Sequence, residues 1–276
     1  WHQLFNPRQL LVIGLFSKMV LKLSVDINNY TFGLLGINCI SDWSSKLCRW
    51  GVGQARESIA QTFYNQAFNT MFNYGTKALS LLKNNWVISL ENYELNTIAD
   101  VKIMDARQIT QISDIWITDP PYADAVNYHE LTEFFLAWDK TLLEKAFPEW
   151  YTDSKRILAV RGVGQSFNES MIEIYKNLAN HMPDNGTQVV MFTHQNVKVW
   201  SELAMILWSA GLRVISAWTI STETESGGLK QGNYVSGTVL LTLKKQTSEE
   251  KIYRDELYDE IKDEVESIID SMKDLN

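Results

Sequence analysis

The segment Thr118-Asp119-Pro120-Pro121-Tyr122 places a carboxylate, two prolines and an aromatic ring directly after a short apolar run. Because proline lacks the backbone N–H that a sheet requires, a strand must end here and the chain continues in one stiff conformation. Open α/β sheets bind their ligands at the carboxyl ends of their strands. The sequence therefore predicts that Asp119 and Tyr122 are held rigidly at such an edge.

These groups suit the chemistry of an exocyclic amine on a nucleobase. Such an amine is a poor nucleophile, since its lone pair is delocalised into the ring. Hydrogen bonds to Asp119 and to a neighbouring carbonyl would favour a tetrahedral nitrogen, and Tyr122 could stack on a base taken out of the helix. In-line attack on a sulfonium methyl needs accurate placement more than a strong base. We interpret the four residues as the substrate half of an amine methyltransferase; the alternative is an ordinary turn.

The elements around this motif alternate between strand and helix. Apolar runs predict strands, and apolar residues at helical spacing predict the helices between them. The alternation predicts an α/β sheet that is mostly parallel, and the last two strands, which share no helix, predict an antiparallel hairpin. The predicted strands are 101–106, 114–119, 187–194, 212–222 and 236–245, and the predicted helices are 127–147, 170–182 and 199–211.

The remaining segments are predicted to be helical. Residues 8–24 and 55–83 carry apolar residues at helical spacing, and residues 249–275 form an acidic amphipathic helix. We therefore divide the chain into a helical segment (1–96), a catalytic portion (97–246) and an acidic tail (247–276). The tail either binds a partner protein or lies along its own domain.

Composition limits the class of protein. The 276 residues are 45% hydrophobic and 21% charged, which is typical of a globular chain, and no apolar run is long enough to span a membrane. The net charge is −8, but residues 247–276 alone hold eleven Asp/Glu and four Lys/Arg, so the rest is near neutral. A basic composition typical of nucleic-acid binding is therefore absent.

The two cysteines, Cys39 and Cys48, have no neighbours at metal-ligand spacing, so we predict no metal site. They favour reduced thiols in a cytoplasmic protein over a disulfide. Because the first residue is Trp and not Met, we expect the chain to be cut from a longer protein.

The motif and several longer stretches resemble a known family. Asp119-Pro120-Pro121-Tyr122 is similar to the DPPY signature of the S-adenosylmethionine-dependent amino-methyltransferases, notably the N6-adenine DNA methylases. The stretches FNPRQLL (5–11), TDPPYADAVNYHELTEFF (118–135) and MFTHQNVKVWSELAMILWSAGLRVISAWTISTE (191–223), with the closing SGTVLLTLKK, resemble the C-terminal part of a large bacterial and archaeal adenine-specific DNA methylase family, some of whose members carry a zinc ribbon.

The resemblance implies a fold, a cofactor and site residues. The fold is a Rossmann-like methyltransferase sheet, the cofactor is S-adenosyl-L-methionine and the substrate is DNA, in a restriction-modification or phage-defence system. Asp119, Pro120, Pro121 and Tyr122 would be catalytic. Asp105 would lie near the cofactor, or would merely cap a turn. The other candidates are substrate-binding or structural: His194, Thr222 and Glu223.

One departure from the family bears on the cofactor. Such enzymes bind it through a D-P-F-x-G-x-G turn, and this chain contains no such sequence. We therefore expect a sheet that is incomplete at its N-terminal side. Two alternatives stay open: an RNA or protein-glutamine methyltransferase, and a non-catalytic DNA-binding or assembly subunit that retains the fold.

Overall fold

A computed structural model gives the protein a mixed α/β architecture. It describes residues 2–48, 50–52, 57–63, 83, 97, 99–121, 128–150, 160, 164–221, 237–247, 258–259 and 261–267. The chain divides into two compact units: Trp1–Thr110 with Pro121–Asn177, and Gln111–Pro120 with Leu178–Asn276. None of the described helices is both long and apolar enough to cross a membrane.

The first unit begins with two helices whose starts are fixed by side-chain caps. Helix α1 (Pro7–Leu23) follows Asn6, whose side chain accepts the Gln9 N–H while the Gln9 side chain accepts the Asn6 N–H. Helix α2 (Ile27–Trp43) follows Asp26, whose carboxylate accepts the Asn29 N–H at 2.8 Å. Such caps satisfy backbone donors that the first turn leaves unpaired.

The first unit continues with a small hairpin and two further helices. Strands β1 (Trp50–Val52) and β2 (Glu57–Ile59) pair antiparallel, and helices α3 (Tyr128–Ala146) and α4 (Gln165–Asn180) follow later in the chain. The last three residues of α4 belong to the second unit. Phe5, which precedes α1, and buried apolar residues of α1, α2 and α3 form the unit's core: Ile13, Val20, Leu34, Ile37, Ile40, Phe134 and Leu142.

The second unit is built on a four-stranded sheet. Its strands are β3 (Ile115–Thr118), β4 (Thr187–Phe192), β5 (Leu212–Ile220) and β6 (Thr238–Lys245), and helix α5 (Val197–Ser209) joins β4 to β5. The strand order is β3-β4-β6-β5. Helix α5 is followed by its cap Ala210 and then by Gly211, whose positive φ of 80° favours glycine.

The sheet corrects the prediction of mostly parallel pairing. Among the described strands of this sheet, only β3 and β4 pair parallel, whereas β4–β6 and β5–β6 pair antiparallel. The predicted hairpin of the last two strands is confirmed, and it explains the difference, because β6 turns back from β5 and inserts between β5 and β4. Strands β3, β4 and β5 therefore still run in one direction.

One predicted element is wrong, and a second is wrong at its start. No strand forms at 101–106; the chain there is irregular and ends in a short 3-10 turn at Ala106–Gln108. The Asp105 side chain accepts the Arg107 N–H, and this local hydrogen bond competes with strand pairing. The helix predicted at 55–83 is replaced at its start by β2, which gains its partners from β1; apart from residues 57–63 and 83, that segment lies outside the described residues.

Candidate functional site

Two of the candidate residues, Asp119 and His194, lie at the carboxyl edge of the second unit's sheet. Because β3, β4 and β5 run in one direction, they end at the same edge, at Thr118, Phe192 and Ile220. Strand β6 starts at this edge, where Thr238 is opposite Ile220 and Val239 is opposite Phe192. Residues that directly follow β3, β4 and β5 therefore lie along one rim.

Asp119 directly follows β3 on this rim. Its side chain is exposed, whereas Pro120 is buried and Pro121 is half-buried. The strand before it is fixed by parallel pairing, with Thr118 opposite Val190, and the Thr118 hydroxyl donates to the Val189 carbonyl at 3.4 Å. The structure thus anchors the proline segment and leaves the Asp119 carboxylate in contact with solvent. Tyr122 lies outside the described residues.

His194 lies on the same rim, two residues after β4. Its Nδ1 accepts the backbone N–H of Asn196 at 2.9 Å, so the neutral ring carries its proton on Nε2. Its carbonyl accepts the indole N–H of Trp200 at 2.8 Å, and that indole packs edge-on against Phe192. The hydrogen bond at Nδ1 therefore orients the His194 ring, and its Nε2–H is the donor that a ligand could use.

Two residues that the sequence analysis missed hold the rim in shape. The Thr193 hydroxyl donates to the Gly237 carbonyl at 2.8 Å, which joins the end of β4 to the start of β6. Asn196 caps α5 by accepting the Lys198 N–H at 2.9 Å. An Asn before a helical run is a recognisable cap signal, whereas the Thr193 contact depends on the sheet order.

Asp105 belongs to the first unit and is engaged within its own turn. Its two oxygens accept the Arg107 backbone N–H at 2.9 Å, Arg107 Nε at 3.0 Å and Arg107 Nη2 at 2.6 Å. The hydrogen bond from the Arg107 side chain is the main cause that lowers the pKa of Asp105 below its usual range. The capping alternative is thus what the structure describes, and the cofactor role stays a prediction.

Thr222 and Glu223 lie outside the described residues, which reach Ser221 directly after β5. Among the described residues, no group of His, Cys, Asp and Glu side chains could hold a metal ion. Both cysteines are free thiols, as the sequence analysis favoured: Cys39 is half-buried and Cys48 is buried.

No protein-family model matches the chain, and no curated protein matches it in sequence. Among solved structures, a putative DNA modification methylase from Thermus thermophilus is similar over 55% of this chain and 54% of its own length, with 11% identity and a TM-score of 0.30. The chain thus spans about half of that structure, and a similarity of this size carries no argument about function.

Proposed function

We propose that this chain is the catalytic C-terminal portion of an S-adenosylmethionine-dependent N6-adenine DNA methyltransferase. One observation carries the proposal: an exposed Asp119, followed by a buried Pro120, stands at the carboxyl end of β3. The ends of β4 and β5 lie on the same rim, which is where an open sheet binds its ligand. The proposed substrate is an adenine that has left the duplex.

Asp119 would act on the adenine amine. Its carboxylate would accept a hydrogen bond from the amine and favour the tetrahedral geometry in which the nitrogen is nucleophilic. Placement of this kind contributes more than basicity, because the reacting atoms must be aligned within a few tenths of an ångström. Burial of Pro120 supports the role, since a fixed backbone keeps the exposed carboxylate in place.

The other rim residues would bind the substrate. His194 offers its Nε2–H as a donor, because Nδ1 is already occupied by the Asn196 N–H. A phosphate oxygen or a base acceptor fits such a donor. Tyr122 would stack on the base, and Thr222 and Glu223, which follow β5 in the sequence, would border the base pocket.

The cofactor, when bound, would supply the methyl group. The described residues do not form a site that fits it: the chain lacks the glycine turn, and both Asp105 oxygens already bind Arg107. Within the described sheet β3 is an edge strand, and its Ile115 and Ile117 are 62% and 69% exposed. We propose that further strands pair there and hold the cofactor, so that the chain contributes the substrate half.

Methyl transfer by the natural full-length protein tests this proposal. Labelled S-adenosylmethionine would be supplied with unmethylated DNA, with RNA and with protein, side by side. We expect label on N6 of adenine in DNA and a loss of about 100-fold or more in Asp119→Ala, as for removal of a positioned polar group in other active sites. Asp114→Ala, which removes an exposed aspartate ahead of β3, is the matched control and should retain the wild-type rate.

Other outcomes distinguish the alternatives. If only RNA or only protein were labelled, that molecule and not DNA would be the substrate. A wild-type rate in Asp119→Ala, or no transfer to any acceptor by a protein that binds DNA, would contradict a catalytic role and favour a DNA-binding or assembly subunit.

A further inference from the structure

Helix α1 presents an uncovered row of apolar side chains, which we call the α1 stripe. Leu11, Leu15, Met19 and Leu23 recur at four-residue steps and are each between 52% and 62% exposed. A helix that lies on a domain surface normally has polar residues on its outer face. A stripe of this length on one helix indicates a surface that is covered in the working protein.

A cavity adjoins the carboxyl end of the α1 stripe. It has a volume of about 310 Å³ and is lined by Phe16, Met19 and Leu23 from α1 and by Phe32 from α2. Ser24 and Asn29 supply polar groups at the same cavity. An apolar cavity with a few polar groups suits an aromatic side chain that carries a hydroxyl.

The acidic tail carries a second uncovered stripe. Residues 258–259 and 261–267 are helical, and we call them the tail helix. Its apolar residues Tyr258, Ile261 and Val265 follow the spacing i, i+3, i+7 and are 69%, 50% and 47% exposed. Three anchors at this spacing are typical of a helix that binds in a groove.

The charges beside the two stripes are complementary. On α1, Lys18 and Lys22 lie one turn apart along one edge of the stripe, and α1 contains no acidic residue. On the tail, Glu264 lies along one edge of its stripe, and Glu260 stands four residues before it in the sequence. Opposite charges with the same spacing can pair along two packed helices.

The handedness of the α-helix decides the orientation. An α-helix turns by about 100° per residue, and the two lysines lie on the side of the α1 stripe towards which this angle decreases. Glu264 lies on the corresponding side of the tail stripe. Two right-handed helices that pack face to face bring these edges together only when they run antiparallel. In that register Tyr258 lies at the cavity near Leu23, with Ile261 at Met19, Val265 at Leu15 and Glu264 at Lys18.

We propose that the tail helix of one copy binds the α1 stripe of a second copy, antiparallel, so that two reciprocal contacts close a twofold dimer. A second copy is the occupant that the observations favour, because each copy carries both complementary surfaces and two copies can therefore make two equal contacts. A contact that each subunit makes with the other closes the assembly at two subunits.

Charge reversal with mixing tests the dimer. One variant carries Lys18→Glu and Lys22→Glu, and the other carries Glu260→Lys and Glu264→Lys. We expect wild type to sediment at about twice the mass of 31.7 kDa, and each variant alone to dissociate at least about tenfold more readily. An equimolar mixture should regain the dimer, because each stripe then meets its opposite charge on the other variant.

Mixing also separates binding between copies from folding back within one copy. A tail that packed on its own α1 could not be rescued by a second protein, so monomers in the mixture would overturn the proposal, as would a monomeric wild type. Leu15→Glu should also give a monomer, with circular dichroism as the check that it folds. Lys140→Glu, on the exposed face of α3, is the matched control and should leave the dimer intact.

Discussion

At the residue scale, Asp139 is unusual because its carboxyl group is only 4% exposed, in the core of the first unit. Burial raises its pKa to about 7, and a hydrogen bond from Asn38 only partly opposes that shift. The folded chain therefore keeps this proton between about pH 4 and pH 7, while the unfolded chain releases it. The free energy of unfolding must therefore fall as the pH rises from about 4 to about 7. Above pH 7 the full cost of burying the charged carboxylate is present.

Asp139→Asn should remove this cost, because the amide has nearly the same size and no charge. At about 1.4 kcal/mol per pKa unit, the shift from 3.8 to about 7 corresponds to roughly 4 kcal/mol. We therefore expect the free energy of unfolding of the variant to exceed that of wild type by about this amount at pH 8 and to differ little from it near pH 4. Urea unfolding across this pH range measures the difference. Asp114→Asn, at an exposed aspartate, controls for the loss of one charge, and parallel pH curves for wild type and Asp139→Asn would contradict the prediction.

Gln188 is fully buried in β4, and neither its Oε1 nor its Nε2 has a hydrogen-bond partner. A buried amide without partners costs about 1–3 kcal/mol of desolvation. Gln188→Met keeps the volume and removes the polar atoms, so we expect its free energy of unfolding to rise by about that amount. Gln111→Met, at an exposed position, should change stability by less than about 0.5 kcal/mol. Destabilisation by Gln188→Met would show that the amide is satisfied in solution.

These two residues also show where sequence reasoning stops. Asp119 could be found because two prolines mark the end of a strand, which is a local signal. The burial of Asp139 depends on packing of α3 against α2, and the sequence analysis did not predict α2. Gln188 is buried because β6 inserts beside β4, with Leu243 opposite it. When an element that is distant in the sequence buries a polar residue, the residues next to it in the sequence show no pattern that predicts the burial.

At the scale of elements, α1 and α2 cross closely at Gly33. A Cβ atom at Gly33 would overlap the Val20 side chain. We expect Gly33→Ala to lower stability by about 1–3 kcal/mol, because the side chain must overpack or the helices must separate. Gly14→Ala, on the exposed face of α1 with no atom within 4 Å, should instead stabilise by up to about 1 kcal/mol. Equal effects of the two changes in thermal unfolding would refute close packing at Gly33.

Elements with a strong local period were predicted well. Strands β3 to β6 and helices α3 to α5 all lie where the apolar pattern placed them. Two failures arise from strand pairing: β2 is a strand because β1 pairs with it, and the sheet is less parallel than predicted because β6 inserts between β4 and β5. Pairing of this kind is set by tertiary contacts rather than by local propensity. The strand predicted at 101–106 fails for a local reason, the hydrogen bond between Asp105 and Arg107.

At the scale of the whole molecule, charge is concentrated in the tail. Residues 247–276 account for −7 of the net −8, and the described tail positions are all exposed. The DNA substrate that we propose is a dense array of negative phosphates, so an exposed acidic segment repels it while a near-neutral body does not. The tail is therefore expected to weaken non-specific binding of DNA.

Changing Asp259, Asp263 and Glu266 to their amides should strengthen non-specific binding of duplex DNA. These acids lie away from the edge of Glu264, so the proposed contact with α1 is preserved. We expect the Kd to fall several-fold at about 50 mM salt and the gain to shrink at about 0.5 M, where the Debye length is only a few ångströms. Fluorescence anisotropy with labelled duplex measures both.

The matched control removes three exposed acids elsewhere, at Asp100, Asp114 and Glu149. If repulsion depends on the local density of charge in the tail, this control gains less affinity than the tail variant. An equal gain in both would show that net charge alone decides, and no gain in the tail variant would mean that the tail stays away from bound DNA. Because the tail variant retains Tyr258, Ile261 and Val265, an unchanged dimer mass in the same samples separates this electrostatic effect from assembly.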